Sequence, residues 1–192
     1  MRKIEEFWIE FAQQEPPKKS AVLSFAFDVA DSLKGAVVAA FIIFCFVFRV
    51  IGVEGISMMP TLHDGDWVAV SGISADIERG DIVIVTQPWK RNVPIVKRVI
   101  AKGGDTVDID FMLGNVYVNG VKLIEPYIDE PTTNGYDVAF PLTVPDGCVF
   151  VMGDNRGDSL DSRSSEIGFI DERYILGKVM LRLYPTGDWN IE

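Results

Sequence analysis

Residues 35–48 read GAVVAAFIIFCFVF, 14 positions without a charge. A helix that is apolar all round needs lipid or a large protein core to cover it. A chain of 192 residues offers little core to wrap around one. At 1.5 Å per residue the run is only about 21 Å long, short of the ~30 Å hydrocarbon core. Extended through Arg49 to Val53 it reaches 19 residues and about 28 Å, with Arg49 near enough to one end for its stem to snorkel. The pattern therefore predicts a transmembrane helix over 35–53. It is expected to stay uncleaved, because 34 residues precede it and no small-x-small pair follows in a polar flank.

Charge orients that anchor. Lys18, Lys19 and Lys34 lie on its N-terminal side, which predicts a cytoplasmic segment over 1–34 and an extracytoplasmic domain over 54–192. Residues 1–53 hold six basic and six acidic side chains; residues 54–192 hold 12 and 22, and so carry the whole net charge of −10. That excess argues against a nucleic-acid partner for the main domain, while the apolar run makes the lipid bilayer an expected partner. Residues 4–33, broken by Pro16-Pro17, are expected to form short amphipathic helices on the inner membrane surface. With two cysteines, Cys45 and Cys148, and one histidine, neither a disulfide framework nor a four-ligand Cys/His zinc site is expected. No metal and no cofactor are expected.

Beyond residue 54 no long 3.6-residue periodicity appears. Short β-rich runs at 67–70, 81–85, 95–100, 106–109, 116–118, 121–123, 148–152 and 179–184 are separated by turn residues. Asn119-Gly120 between two of them is the pair favoured in a two-residue type I′ hairpin. The fold expected is mainly β: the N-terminal transmembrane helix, then an all-β sandwich or barrel-like body.

Three segments carry chemistry. Gly55-Ile56-Ser57-Met58-Met59-Pro60 is a turn able to present the Ser57 hydroxyl at a cleft edge. Its bland alternative is a Gly/Pro turn whose methionines fill a core gap. A serine nucleophile needs a base. His63 lies in the same loop, only six residues on, which suits a surface residue better than a triad member. Lys97 shares one strand face with Ile95 and Val99, an apolar setting that lowers a lysine pKa. To act near pH 7 it must fall from ~10.4 by enough to cost roughly 4 kcal/mol. The rival role is a snorkelling surface lysine. The third segment, residues 153–163, reads GDNRGDSLDSR after an apolar strand. Arg156 stands where a calcium loop would place a ligand, so a calcium site does not fit; a solvated turn held by Asx and Arg–carboxylate contacts does.

Together, Ser57-Met58-Met59-Pro60-Thr61-Leu62, Arg79-Gly80-Asp81-Ile82-Val83, Val96-Lys97-Arg98-Val99-Ile100 with Gly104-Asp105, and Gly153-Asp154-Asn155-Arg156 with Ser159 and Asp161-Ser162-Arg163 resemble the four successive boxes of bacterial type I signal peptidases. They stand in the family's order after an apolar segment. The resemblance implies a membrane-bound Ser/Lys serine endopeptidase of the bacterial plasma membrane that removes signal peptides from exported preproteins. It implies Ser57 as nucleophile, Lys97 as general base, Ser159 as the hydroxyl that hydrogen-bonds and orients the lysine, and Asp161 with Arg163 as a supporting ion pair. The family's preference for small residues before the cut implies shallow apolar pockets, walled at the matching positions by Val53, Leu62, Val68 and Val96.

The chain departs from the pattern in places. Gly55 stands where some members have a serine that helps bind the oxyanion, which leaves more of that work to the Ser57 N–H. Residues 105–153 leave no room for the large inserted domain of longer members. Arg156-Gly157-Asp158-Ser159 replaces the Asp-Asn that many members have before the serine. Two other classes compete with this reading. A self-cleaving repressor should bring a DNA-binding helical domain and no anchor. A membrane-anchored, non-catalytic β binding module should show no special arrangement at Ser57 and Lys97.

Overall fold

The computed structural model describes residues 21–72, 77–87, 91–187, 189 and 191. The chain divides into two compact units, with the break between Phe44 and Cys45.

The first unit holds most of helix α1, Ala21–Val47. Its opening half carries Asp28, Asp31 and Lys34, and Lys34 Nζ meets Asp31 Oδ1 at 2.9 Å, one turn away. Among the described residues no helix is long and apolar enough to cross a membrane. The limits of α1 differ from the expected 35–53 at both ends. The helix begins earlier, so residues 21–33 belong to it rather than to separate short helices; the rest of that expectation, residues 4–20, lies outside the described residues. It also stops earlier, because Phe48–Gly52 is a strand, β1. Phe-Arg-Val-Ile-Gly is β-branched in its centre and pairs rung for rung with β2, from Phe48 opposite Ser71 to Gly52 opposite Trp67. The ladder offered by β2 outcompetes continuation of the helix.

The second unit is β. One sheet has the order β1-β2-β11-β3-β4-β9-β10, with β2 Trp67–Ser71, β3 Ile82–Gln87, β4 Arg91–Lys102, β9 Cys148–Met152, β10 Ile170–Asp171 and β11 Ile175–Tyr184. A smaller sheet runs β7-β6-β5-β8, with β5 Thr106–Asp110, β6 Asn115–Val118, β7 Val121–Lys122 and β8 Leu142–Thr143. Every described pairing is antiparallel. Asn119 and Gly120 turn the β6–β7 hairpin with φ of 53° and 76°, the paired positive values of a type I′ turn.

Apolar alternation builds three buried clusters. Ile100, Val107, Val116 and Phe150 join the two sheets, and Val83, Val99, Val151 and Ile170 fill one face of the large sheet. On its other side Val53, Met58, Leu62, Val68 and Ile84 pack together beneath the loop that carries Ser57. That third cluster fixes the floor of the site.

Candidate active site

Residues 53–66 form a closed loop. Val53 N donates to Asp66 O at 2.7 Å and Gly65 N donates to Val53 O at 2.9 Å, which pins its two ends together. Gly55 has φ +89°, a left-handed value that an L side chain would resist, and its N–H donates to Asp64 Oδ1 at 2.8 Å. Met58 and Leu62 are buried below, and Leu62 N donates to Met58 O. The methionine of the core-gap reading and the exposed serine of the catalytic reading are therefore neighbours in one loop. Ser57 is held half-buried at the rim above an anchored apolar base.

The central strand β4 brings Lys97 to it. Lys97 is 3% exposed and lies opposite Val83 in β3. Its Nζ is 2.6 Å from Ser57 Oγ and donates to Val96 O at 3.0 Å. Forty residues of sequence separate the two side chains. His63, by contrast, is exposed on the loop, and its backbone N–H donates to Asp66 Oδ2.

The next residue on β4, Arg98, points to the opposite face and meets residues 153–163. Its Nε and Nη2 donate to the two oxygens of Asp154 at 2.9 and 2.7 Å, a fork-to-fork pair whose side chains are almost wholly buried. Thr61 Oγ1 donates to the same carboxylate. Asn155 N donates to Ser57 O at 3.1 Å, and Asn155 Nδ2 to Ile56 O at 3.2 Å. The turn after β9 thus grips the serine loop by backbone and side chain at once. A Cβ on Gly153 would lie 2.2 Å from Ser159 Oγ and 2.3 Å from Ser57 O, so only glycine admits this approach.

Asp161 and Arg163 form a second bidentate pair at 2.9 Å, with both side chains fully buried. Asp161 Oδ2 also accepts from Gly153 N at 2.9 Å, and Arg163 Nη1 donates to Arg156 O and Asn134 O. The pair staples the two ends of the loop. Ser159 differs from expectation. It is 1% exposed, and among the described residues its hydroxyl, instead of bonding Lys97, has no hydrogen-bond partner. The reason is its setting against Gly153, at the position the missing Cβ would occupy.

A cleft of about 500 Å³ opens beside Ser57 and Lys97. Its walls are the end of β1 with residues 53–55 on one side and residues 93–96 on the other, with Met58, Ile84 and Leu160 between. Of the four expected wall residues, Val53 and Val96 line it. Leu62 and Val68 do not: both are 0% exposed and lie behind the cleft in the core cluster of Val53 and Met58. Ile51 and Ile95 supply wall surface that sequence reasoning missed. So, too, were the Arg98–Asp154 pair and Thr61. One signal for the pair was present: Arg98 stands inside an apolar strand run and Asp154 just after another. Among the described residues no group of His, Cys, Asp or Glu is arranged to hold a metal ion.

Residues 27–184 match the family described as signal peptidase, peptidase S26. The chain belongs to this family. It is 41% identical over 163 residues to a signal peptidase I of Bacillus licheniformis, covering 80% of this chain and 86% of that protein. It is 38% identical to signal peptidase I T of Bacillus subtilis strain 168, covering 80% and 82%. A crystal structure of a signal peptidase I from Enterococcus faecalis V583 matches with a TM-score of 0.47 and 31% identity, over 55% of this chain and 98% of that one. The family match spans all four sequence boxes and nearly the whole β unit.

Proposed function

We propose that this protein is a membrane-anchored serine endopeptidase that removes N-terminal signal peptides from exported preproteins. The observation that carries the reading is the 2.6 Å approach of the buried Lys97 amine to Ser57 Oγ. Burial penalises the charged ammonium and favours the neutral amine. In that form the same separation lets the Ser57 O–H donate to Nζ. Lys97 takes the proton, Ser57 Oγ attacks the scissile carbonyl, and the amine of the mature protein leaves with a proton returned from Lys97. Lys97 then activates water to hydrolyse the acyl-enzyme. With Gly55 in place of a hydroxyl, the Ser57 N–H is the donor for the oxyanion.

The cleft supports an extended peptide as substrate. β4 pairs with β9 from Arg98 onward, and Val93 to Val96 lie ahead of that pairing, along the cleft wall. An extended segment can add there as a strand, with alternate side chains entering the apolar walls. Ile51, Val53 and Val96 leave shallow space there for small residues.

Anchoring belongs to the same proposal. The apolar second half of α1 docks the chain in the bacterial plasma membrane, with Lys18, Lys19 and Lys34 on the cytoplasmic side and the acidic β unit outside. Purified full-length protein should cleave a preprotein, and Ser57→Ala should abolish cleavage with folding intact. A Ser57→Ala protein that cuts at a comparable rate would overturn the assignment of Ser57 as nucleophile. Protease added to intact spheroplasts should digest the β unit; its protection would reverse the topology.

A further inference from the structure

Residues 123–141, which join β7 to β8, carry none of the four sequence boxes, yet they cover the charged back of the site. The Tyr127 ring lies under the Arg98 guanidinium, 4.0 Å from Cζ to the ring centroid, with the Arg156 guanidinium 5.9 Å away. These two arginines serve different parts of the machinery. Arg98 follows Lys97 on β4 and holds Asp154, which accepts from Thr61 of the serine loop. Arg156 is fully buried and holds the Gly153 carbonyl at 2.9 Å, in the turn that touches Ser57 O.

The same segment completes the coordination of Arg156. Glu125 Oε1 accepts from Arg156 Nη2 at 2.7 Å and from the Tyr127 hydroxyl at 3.2 Å, and Thr132 Oγ1 accepts from Nη1 at 2.7 Å. Burial, then the Glu125 charge, pushes the phenol well above its ordinary value, which keeps it a neutral donor. A π face within reach of two guanidinium groups attracts both.

We infer that Tyr127 is a positioning residue for the Ser57–Lys97 site, its ring clamping Arg98 and Arg156 so that the lysine strand and the Gly153 turn hold the serine loop in one register. The inference rests on the peptidase reading above. It assigns the work to the ring, with the hydroxyl secondary, because the ring contacts Arg98 while the hydroxyl bonds Glu125.

The test compares full-length wild type, Ser57→Ala, Tyr127→Phe and Tyr127→Leu on an internally quenched peptide spanning a signal-peptide cleavage site. Rates are expressed per folded molecule, measured by near-ultraviolet circular dichroism. Tyr127→Leu should lower kcat by about 10- to 100-fold, the scale of a sub-ångström to ångström misplacement of reacting groups. KM should stay within about two-fold, since the cleft walls are untouched, and Tyr127→Phe should restore kcat to within about three-fold of wild type. Should the Leu variant fail to fold, Tyr127→Met, which fills the space without a π face, carries the same expectation. A Leu or Met variant with wild-type kcat per folded molecule, a loss confined to KM, or a Phe variant as impaired as Leu would each overturn the positioning role alone. A cleavage rate that Ser57→Ala leaves unchanged would overturn the Ser57–Lys97 reading, and this inference with it.

Discussion

Asn155 donates its backbone N–H to the carbonyl of Ser57 at 3.1 Å, so the turn after β9 is bonded to the serine itself and not merely to its loop. Lys97 approaches the same residue from β4, through the side chain. Ser57 is therefore fixed by two elements that β4–β9 pairing holds adjacent, with Arg98 opposite Met152 at the rung where that pairing starts. This explains how a surface loop can keep a hydroxyl within hydrogen-bond distance of a buried amine.

Lys97→Arg should be inactive although it keeps the charge, because arginine does not deprotonate near neutral pH. His63→Ala should retain most activity, since His63 is exposed on the loop. Steady-state cleavage of a preprotein by the two purified variants decides the matter; an inactive His63→Ala beside an active Lys97→Arg would move the base role to the histidine.

Ser159→Ala should be at least as stable as wild type, and more stable by up to about 1 kcal/mol, because it removes a buried hydroxyl that has no partner among the described residues. A Ser159 that orients Lys97 during turnover would still make the variant slow. Thermal unfolding and kcat measured on one preparation separate the two roles: a rise in stability with unchanged kcat fits the unbonded hydroxyl, and a fall in kcat assigns it to Lys97 during turnover. A clear loss of stability would show that the hydroxyl is bonded in the folded protein.

Asp105 links acid sensitivity to the fold. Burial raises its pKa, but the Lys102 amide, Arg79 and Asn119 outweigh that and hold it below the usual value. A group depressed in the folded state contributes stability above its unfolded pKa of about 3.9, and that contribution is lost as pH falls through the folded value. Asp105→Asn should consequently be less stable than wild type at pH 7, with the gap closing below about pH 4. Urea midpoints measured from pH 7 to pH 3 would give parallel curves if Asp105 were uncoupled from folding.

Fragment boundaries should follow β1 and not the end of the apolar run. A fragment of residues 45–192 keeps the five-rung ladder between β1 and β2 and the Ile51 wall of the cleft. It should fold and cut a short peptide, yet process membrane-inserted preproteins poorly for want of anchored effective concentration. A fragment beginning at Val53 should lose an edge strand and most of its peptide cleavage. Equal peptide activity in the two fragments would remove β1 from the site.

Much of the site was legible in the sequence because local chemistry marks it. Gly55 and Pro60 announce a turn around Ser57, alternation puts Lys97 on an apolar strand face, and Asn119-Gly120 names its own hairpin. The strands found at 67–71, 106–110 and 148–152 match their β-rich runs to within a residue at either end. Such features depend on neighbours a few residues apart, which a single chain displays directly.

What the sequence determined by itself was the order of the four boxes and the family they belong to; what tertiary structure alone decided was which side chains meet. Phe48–Gly52 reads as the tail of an apolar helix until β2 supplies a ladder for it. Leu62 and Val68 read as wall residues until sheet packing turns them into core, and Ser159 reads as a lysine partner until Gly153 lets it settle against the turn. The Arg98–Asp154–Thr61 contacts join residues 56 and 93 positions apart. Burying an ion requires a counter-charge, but which one it meets is set by strand register and sheet order, and those are properties of the assembled fold.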